Sequence, residues 1–204
     1  MSHFHSAPTA SARRRFLGSA AVGAAGLIGL SAKAADPITF AINEGVSYRV
    51  SPVETQERFQ GVSDDLGKLL RTPVKAVAVT RYDELQKGLA EHRFQLAWVH
   101  PAHHAIRAMV QSGYRLAALT KGFTEYRASF FVAKGSSVKT LAELKGKKVG
   151  APDEDSITSV ILRATLRDAG LGPETPVSYV RFQDAVPFMV EHGLVTAGVS
   201  ASRA

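Results

Sequence analysis

From Ile38 onward, short apolar runs and helix-periodic stretches alternate with only a few residues between them. Nothing else in the chain limits the fold as strongly. Ile38–Ile42 reads as a strand closed by Asn43-Glu44-Gly45, and Ser51-Pro52 opens a helix running to Leu70. Ser51 is placed to cap that helix and Pro52 to occupy its first position, where a missing N–H costs nothing. Val53, Phe59, Val62, Leu66, Leu69 and Leu70 fall on one side of it. Strands are expected at 74–79, 94–99 and 115–119, with helices at 81–91 and 101–110. After Gly122 the pattern restarts, with strands at 129–133, 147–151, 176–181 and 195–199. A short helix at 141–144 and longer ones at 156–169 and 185–192 separate them.

Strand–helix alternation with short connections implies parallel sheets covered by helices, an α/β architecture. Two lobes are the economical arrangement, residues 35–124 and 125–204, joined near Gly122–Arg127. A pocket between them would be lined by loops at the carboxyl ends of strands.

The first 34 residues stand apart. Arg13-Arg14-Arg15 precedes Phe16-Leu17, a mildly apolar stretch from Gly18 to Leu30, and Ser31-Ala32-Lys33-Ala34. A basic region, a short apolar region and an Ala-x-Ala site make an export signal, with cleavage expected after Ala34. The apolar stretch falls short of the roughly 20 residues a membrane span needs. The paired arginines before Phe-Leu resemble a twin-arginine signal. No cysteine stands at the cleavage site to carry a lipid anchor, so the mature chain is expected free in the periplasm, spanning no membrane, as a monomer.

The net charge of +7 suggests nucleic acid, but its distribution argues otherwise. Arg13, Arg14, Arg15 and Lys33 lie in the signal, and the remaining 21 basic residues face 18 acidic ones. No basic stripe remains for a phosphate backbone. The absence of cysteine excludes disulfide scaffolds, thiolate nucleophiles and Cys-ligated metals. No Gly-x-Ser-x-Gly elbow, Walker loop, Gly-x-Gly-x-x-Gly or His-Glu-x-x-His is present. Ser136-Ser137-Val138-Lys139 matches Ser-x-x-Lys, but lies in a turn without companion motifs.

Two segments could carry a site. His100-Pro101-Ala102-His103-His104 gathers three imidazoles where a strand passes into a helix. They could line a pocket, pack, or bind zinc or copper, although adjacent helical positions point about 100° apart and no carboxylate completes a metal site. The second segment is Asp153-Glu154-Asp155-Ser156-Ile157-Thr158-Ser159. Its hydroxyls and free N–H groups at a helix start suit an oxyanion, or simply an N-cap. The three acids would repel a dianion, yet could accept from a protonated oxyanion or pair with an ammonium.

Four stretches in order then carry a resemblance: Leu96-Ala97-Trp98-Val99-His100-Pro101, Tyr126-Arg127-Ala128-Ser129-Phe130-Phe131-Val132, Leu141–Val149, and Asp155-Ser156-x-Thr158. The series resembles the phosphate/phosphite/phosphonate-binding periplasmic proteins of ABC importers, which have the type II solute-binding fold. The resemblance implies an α/β, two-lobe protein that traps a small oxyanion, without cofactor or catalysis, for an inner-membrane ABC permease. It implies ligand contacts from Ser156, Thr158 and Ser159, from His100, from Tyr126 and Ser129 on the inter-lobe strand, and from Tyr48. It also implies a chain that returns to its first lobe. Here the sequence stops just past the last expected strand, so the first lobe is expected to lack that return, as in a truncated member.

A second reading keeps the fold but has it report to a membrane receptor or kinase. A third is an exported hydrolase or metalloenzyme using His100, His103 and His104.

Overall fold

The computed structural model describes residues 36–47, 49–121 and 125–203. The export signal expected over residues 1–34 lies outside them, as does Tyr48. Residues 35–204 form one compact unit containing two sheets.

In the first sheet, β1 (Ile38–Asn43) lies between β2 (Val74–Ala78) and β3 (Leu96–Val99), all parallel. A central strand is covered on both faces, and Phe40–Asn43 are accordingly buried. Asn43 closes β1 by donating to Val79 O at 2.7 Å and accepting from Gly45 N at 3.0 Å. A buried amide is thereby satisfied, and the turn after β1 is fixed.

Helix α1 (Pro52–Leu70) begins as its sequence predicts. Ser51 Oγ accepts from Glu54 N, Glu54 returns a carboxylate to Ser51 N, and Pro52 takes the first helical position. Its burial differs from the expected apolar side. Thr55 and Ser63 are the buried positions, while Val53, Val62, Leu69 and Leu70 are exposed. The helix is rotated so that Phe59 meets Phe40 and Trp98. Local bonds make the buried hydroxyls cheap: Ser63 donates to Phe59 O and Thr55 to Glu44. Helices α2 (Tyr82–Ala90) and α3 (Ala102–Ser112) contact each other and contribute Leu85, Leu89 and Ala108 to the core around Ala41, Val79 and Phe94.

The second sheet has the order β4-β7-β5-β6, from β4 (Tyr126–Val132), β5 (Val149–Ala151), β6 (Val177–Tyr179) and β7 (Ala197–Arg203). Helix α4 (Ile157–Asp168) contacts β4, β5 and β7, and Leu162 and Leu166 pack with Val149, Ala151, Ala197 and Val199. Helix α5 (Ala185–Glu191) contacts β5 and β7 through a face that includes Val186.

Three expectations are corrected. This sheet is mixed rather than all parallel, because β7 runs antiparallel to β4 while pairing in parallel with β5. Residues 115–119 form neither strand nor helix; Leu116 and Leu119 are exposed, and no neighbouring strand pairs with the segment. The last strand continues to Arg203 instead of ending at Val199, held by its ladder to β4. Residues 200–203, Ser-Ala-Ser-Arg, have no apolar run to announce that extension. Among the described residues no helix is long and apolar enough to cross a membrane.

Candidate functional site

Helix α4 starts as a capped helix. Ser156 Oγ accepts from Ser159 N at 3.2 Å, and Asp153 Oδ1 accepts from Asp155 N at 2.9 Å. Ser156, Thr158 and Ser159 are all buried. Their hydroxyls point in different directions. Ser159 donates to Pro152 O at 2.9 Å, which commits it to the end of β5. Thr158 Oγ1 lies 2.8 Å from Tyr126 Oη and 3.4 Å from Gln183 Oε1. The structure therefore brings Thr158 and Tyr126 together, and leaves Ser156 and Ser159 as helix-start and strand-end ties.

Ser129 is exposed on β4, directly across the ladder from Ser200. His100 is half-buried after β3, its N–H bonded to Asn43 O at 2.9 Å. Gly45, at φ +79°, permits the close approach there, since a Cβ would fall 2.8 Å from His100 Cδ2.

Gln183 is the residue the sequence reading missed. It is buried, accepts from Thr158, Ser200 Oγ and Ala201 N, and donates to Ser47 Oγ at 3.0 Å. Its own N–H reaches Val46 O. One side chain thus links the turn after β1 to α4 and β7. Its position in the loop leaving β6, at the carboxyl end of a strand, was the available signal.

His103 and His104 converge although they are adjacent in sequence. Both Nε2 atoms reach the carbonyl oxygen of Asp155, at 2.9 and 3.0 Å, with ring centroids 4.2 Å apart. His104 is fully buried, stacks on Tyr82 and receives a bond from Gln86 to Nδ1. Burial first, then the neighbouring His103, lowers its pKa to about 4. Burial also lowers His103 and raises the Tyr82 and Tyr126 hydroxyls. Both imidazoles are consequently neutral near pH 7 and act as hydrogen-bond donors. Among the described residues no group of three or more His, Asp or Glu side chains is placed to hold a metal.

Further ties run between the two sheets' loops. Arg181 donates to Thr80 Oγ1 at 3.0 Å, and Arg49 pairs with Asp184 at 2.6 Å. A cavity of about 410 Å³ opens here, lined by Thr80, Arg81, Tyr82, Asp153, Asp155 and Arg181 among others. It lies at the carboxyl ends of β2, β5 and β6, as open α/β sheets favour. A larger hollow of about 550 Å³ sits against the start of α1, between Arg49 and Arg58. Neither includes Ser156, Thr158 or Tyr126. The larger hollow is walled in part by Glu54 and Glu57, and the hydroxyl cluster is closed over by its own hydrogen bonds.

Residues 45–204 match the family described as "ABC transporter, phosphonate, periplasmic substrate-binding protein". No curated protein matches the chain. Among solved structures, PhnD1 from Prochlorococcus marinus in complex with methylphosphonate is similar, at 20% identity and TM-score 0.62 over 79% of this chain and 62% of that one. A binding-protein component of an ABC phosphonate transporter from Pseudomonas aeruginosa is 17% identical, with TM-score 0.56 over 81% and 57% of the two chains. A Xanthomonas citri protein bound to chloride ion is 14% identical, with TM-score 0.63 over 81% and 64%. The likeness identifies the type II periplasmic-binding-protein fold. The chain spans about three-fifths of these proteins' length.

Proposed function

The chain belongs to the ABC-transporter phosphonate periplasmic substrate-binding family, and on that premise we propose that it captures a small oxyanion of the phosphonate, phosphite or phosphate class for an inner-membrane ABC permease. Its family places it in the periplasm, and the twin-arginine-like signal would be its route there. Residues 35–124 and 125–204 act as two lobes that close on the ligand.

One observation carries the reading: hydroxyl and N–H donors from Tyr126 on β4, Thr158 on α4, and Ser200 and Ala201 on β7 gather beside Gln183, whose amide also reaches Ser47 after β1. Such donors stabilise an oxyanion through charge-assisted bonds and penalise any ligand that leaves them unpaired. The cluster contains no nucleophile–base pair, which suits capture rather than turnover. Ser156 and Ser159 serve it by fixing the start of α4, and Ser129 lies across the β4–β7 ladder from Ser200.

Thermal melts of residues 35–204 with phosphate, phosphite, methylphosphonate, 2-aminoethylphosphonate and sulfate test this. A ligand at 100 times its dissociation constant adds about 2.7 kcal/mol to stability. Stabilisation by at least one phosphorus oxyanion is expected. A cooperative melt that none of them shifts overturns the proposal.

A further inference from the structure

Gln183 is 8% exposed and sits between β6 and α5. The orientation of its amide is set by its neighbours. Ala201 N–H can only donate, so the atom 2.5 Å from it is the carbonyl oxygen Oε1, and Nε2 is left to donate to Ser47. Ser200 Oγ and Thr158 Oγ1 point to the same Oε1, at 3.3 and 3.4 Å. Because the single Thr158 proton is directed to Gln183, the 2.8 Å contact from Tyr126 must be the tyrosine donating to Thr158.

The donors exceed what this oxygen can serve. A carbonyl oxygen has two lone pairs, and here three donors converge on one. Hydroxyl bonds ordinarily span roughly 2.7–2.8 Å, so both hydroxyls are stretched. A neutral acceptor holds a donor-rich spot weakly. An oxyanion oxygen offers more lone pairs and bonds about twice as strong.

We infer that Gln183 is a built-in competitor, whose side-chain oxygen occupies the donor set of Thr158, Ser200 and the Ala201 N–H and is displaced from it by an oxyanion ligand. This rests on the oxyanion-binding reading above. The device also discriminates. A neutral amide or alcohol oxygen gains nothing by replacing Gln183, whereas a phosphonate or phosphate oxygen does. Gln183 thereby sets a threshold of acceptor strength that the ligand must exceed.

The test is titration calorimetry of inorganic phosphate and methylphosphonate into wild type, Gln183→Ala and Gln183→Glu, each first shown to melt cooperatively. Removing the competitor should tighten oxyanion binding on the order of tenfold, since a lost internal hydrogen bond no longer opposes the ligand. Gln183→Glu should weaken binding by about tenfold or more, because a fixed carboxylate satisfies the donors and repels the anion. Equal or weaker binding by Gln183→Ala, with wild type still binding, overturns the competitor and leaves the oxyanion reading standing. Should Gln183→Ala fail to fold, unchanged affinity in Gln183→Glu overturns it instead. If no protein of the three binds either anion, the oxyanion reading falls and the competitor with it.

Discussion

His104 donates from Nε2 to the backbone carbonyl of Asp155 at 3.0 Å, tying α3 to the segment that leads into α4. The bond is made by a neutral ring, because Gln86 donates to Nδ1 at 2.6 Å and the imidazole is fully buried against Tyr82. The groups facing the pair from packed elements are Arg107 on α3, Asp155 before α4 and Arg163 on α4. Burial outweighs the raising effect of Asp155 on both rings.

Stability should therefore fall on mild acidification. The folded-state pKa of His104 is depressed from 6.5 to about 4, so the unfolded chain binds the proton first as pH drops. The contribution is fully present above pH 6.5 and lost progressively toward pH 4. Its size is on the order of 3 kcal/mol, and His103 adds in the same direction. Glu54, Asp83 and Glu143, with lowered pKa values, lose their stabilisation as pH falls through and below the ordinary carboxylate range. Melts between pH 7.5 and 5 thus isolate the histidines. Wild type should lose melting temperature across that window, and His104→Gln should flatten the loss; an unchanged slope refutes the assignment.

Tyr126 and Thr158 should act as one unit. Each hydroxyl serves the other, Tyr126 by donating and Thr158 by passing its own proton on to Gln183. Tyr126→Phe and Thr158→Val should each cost about 1 kcal/mol of stability. A double-mutant cycle should return a coupling of about 0.5 kcal/mol or more. Oxyanion affinity should fall at least tenfold in both variants, measured by calorimetry at constant pH. Additive losses would show that the two hydroxyls do not cooperate.

Surface and core aliphatic residues separate just as sharply. Leu69 on α1 and Val110 on α3 are each 80% exposed, whereas Leu89 on α2 is 1% exposed. Leu69→Lys and Val110→Glu should each change stability by less than about 0.5 kcal/mol. Leu89→Ala should cost about 2–5 kcal/mol by removing core contacts around Phe94 and Ala41. Chemical denaturation of the three variants decides it.

That contrast also marks what the sequence could and could not reveal. The α1 boundaries were legible because Ser51, Pro52 and Glu54 act within one turn. Its buried face was not. Apolar spacing favours Val62 and Leu69, but contact with Phe40 and Trp98 rotates the helix until Thr55 and Ser63 face inward. The start of α4 was legible from its hydroxyls, yet only the fold shows that Ser159 turns to Pro152 while Thr158 turns to Tyr126. For Gln183 the local pattern offered only its place just after a strand, because its partner Ser47 is 136 positions away in sequence. The strand expected at 115–119 failed for the converse reason: apolar spacing was present and a pairing neighbour was not.

Two helical glycines should respond in opposite directions to the same substitution. Gly61 lies inside α1, exposed, and a Cβ there would meet nothing within 4 Å. Gly61→Ala should stabilise by about 0.5–1 kcal/mol, because glycine loses more backbone entropy on entering a helix. Gly88 lies in α2, where a Cβ would fall 2.1 Å from Phe94 Cε2 and 2.5 Å from its Cζ. Phe94 is 7% exposed within the core cluster and cannot swing away freely. Overpacking costs about 1–3 kcal/mol, which exceeds the helix-propensity gain. Gly88→Ala should therefore lower the melting temperature while Gly61→Ala raises it. A rise in both would mean that the Phe94 ring does not pack on Gly88 as the structure has it.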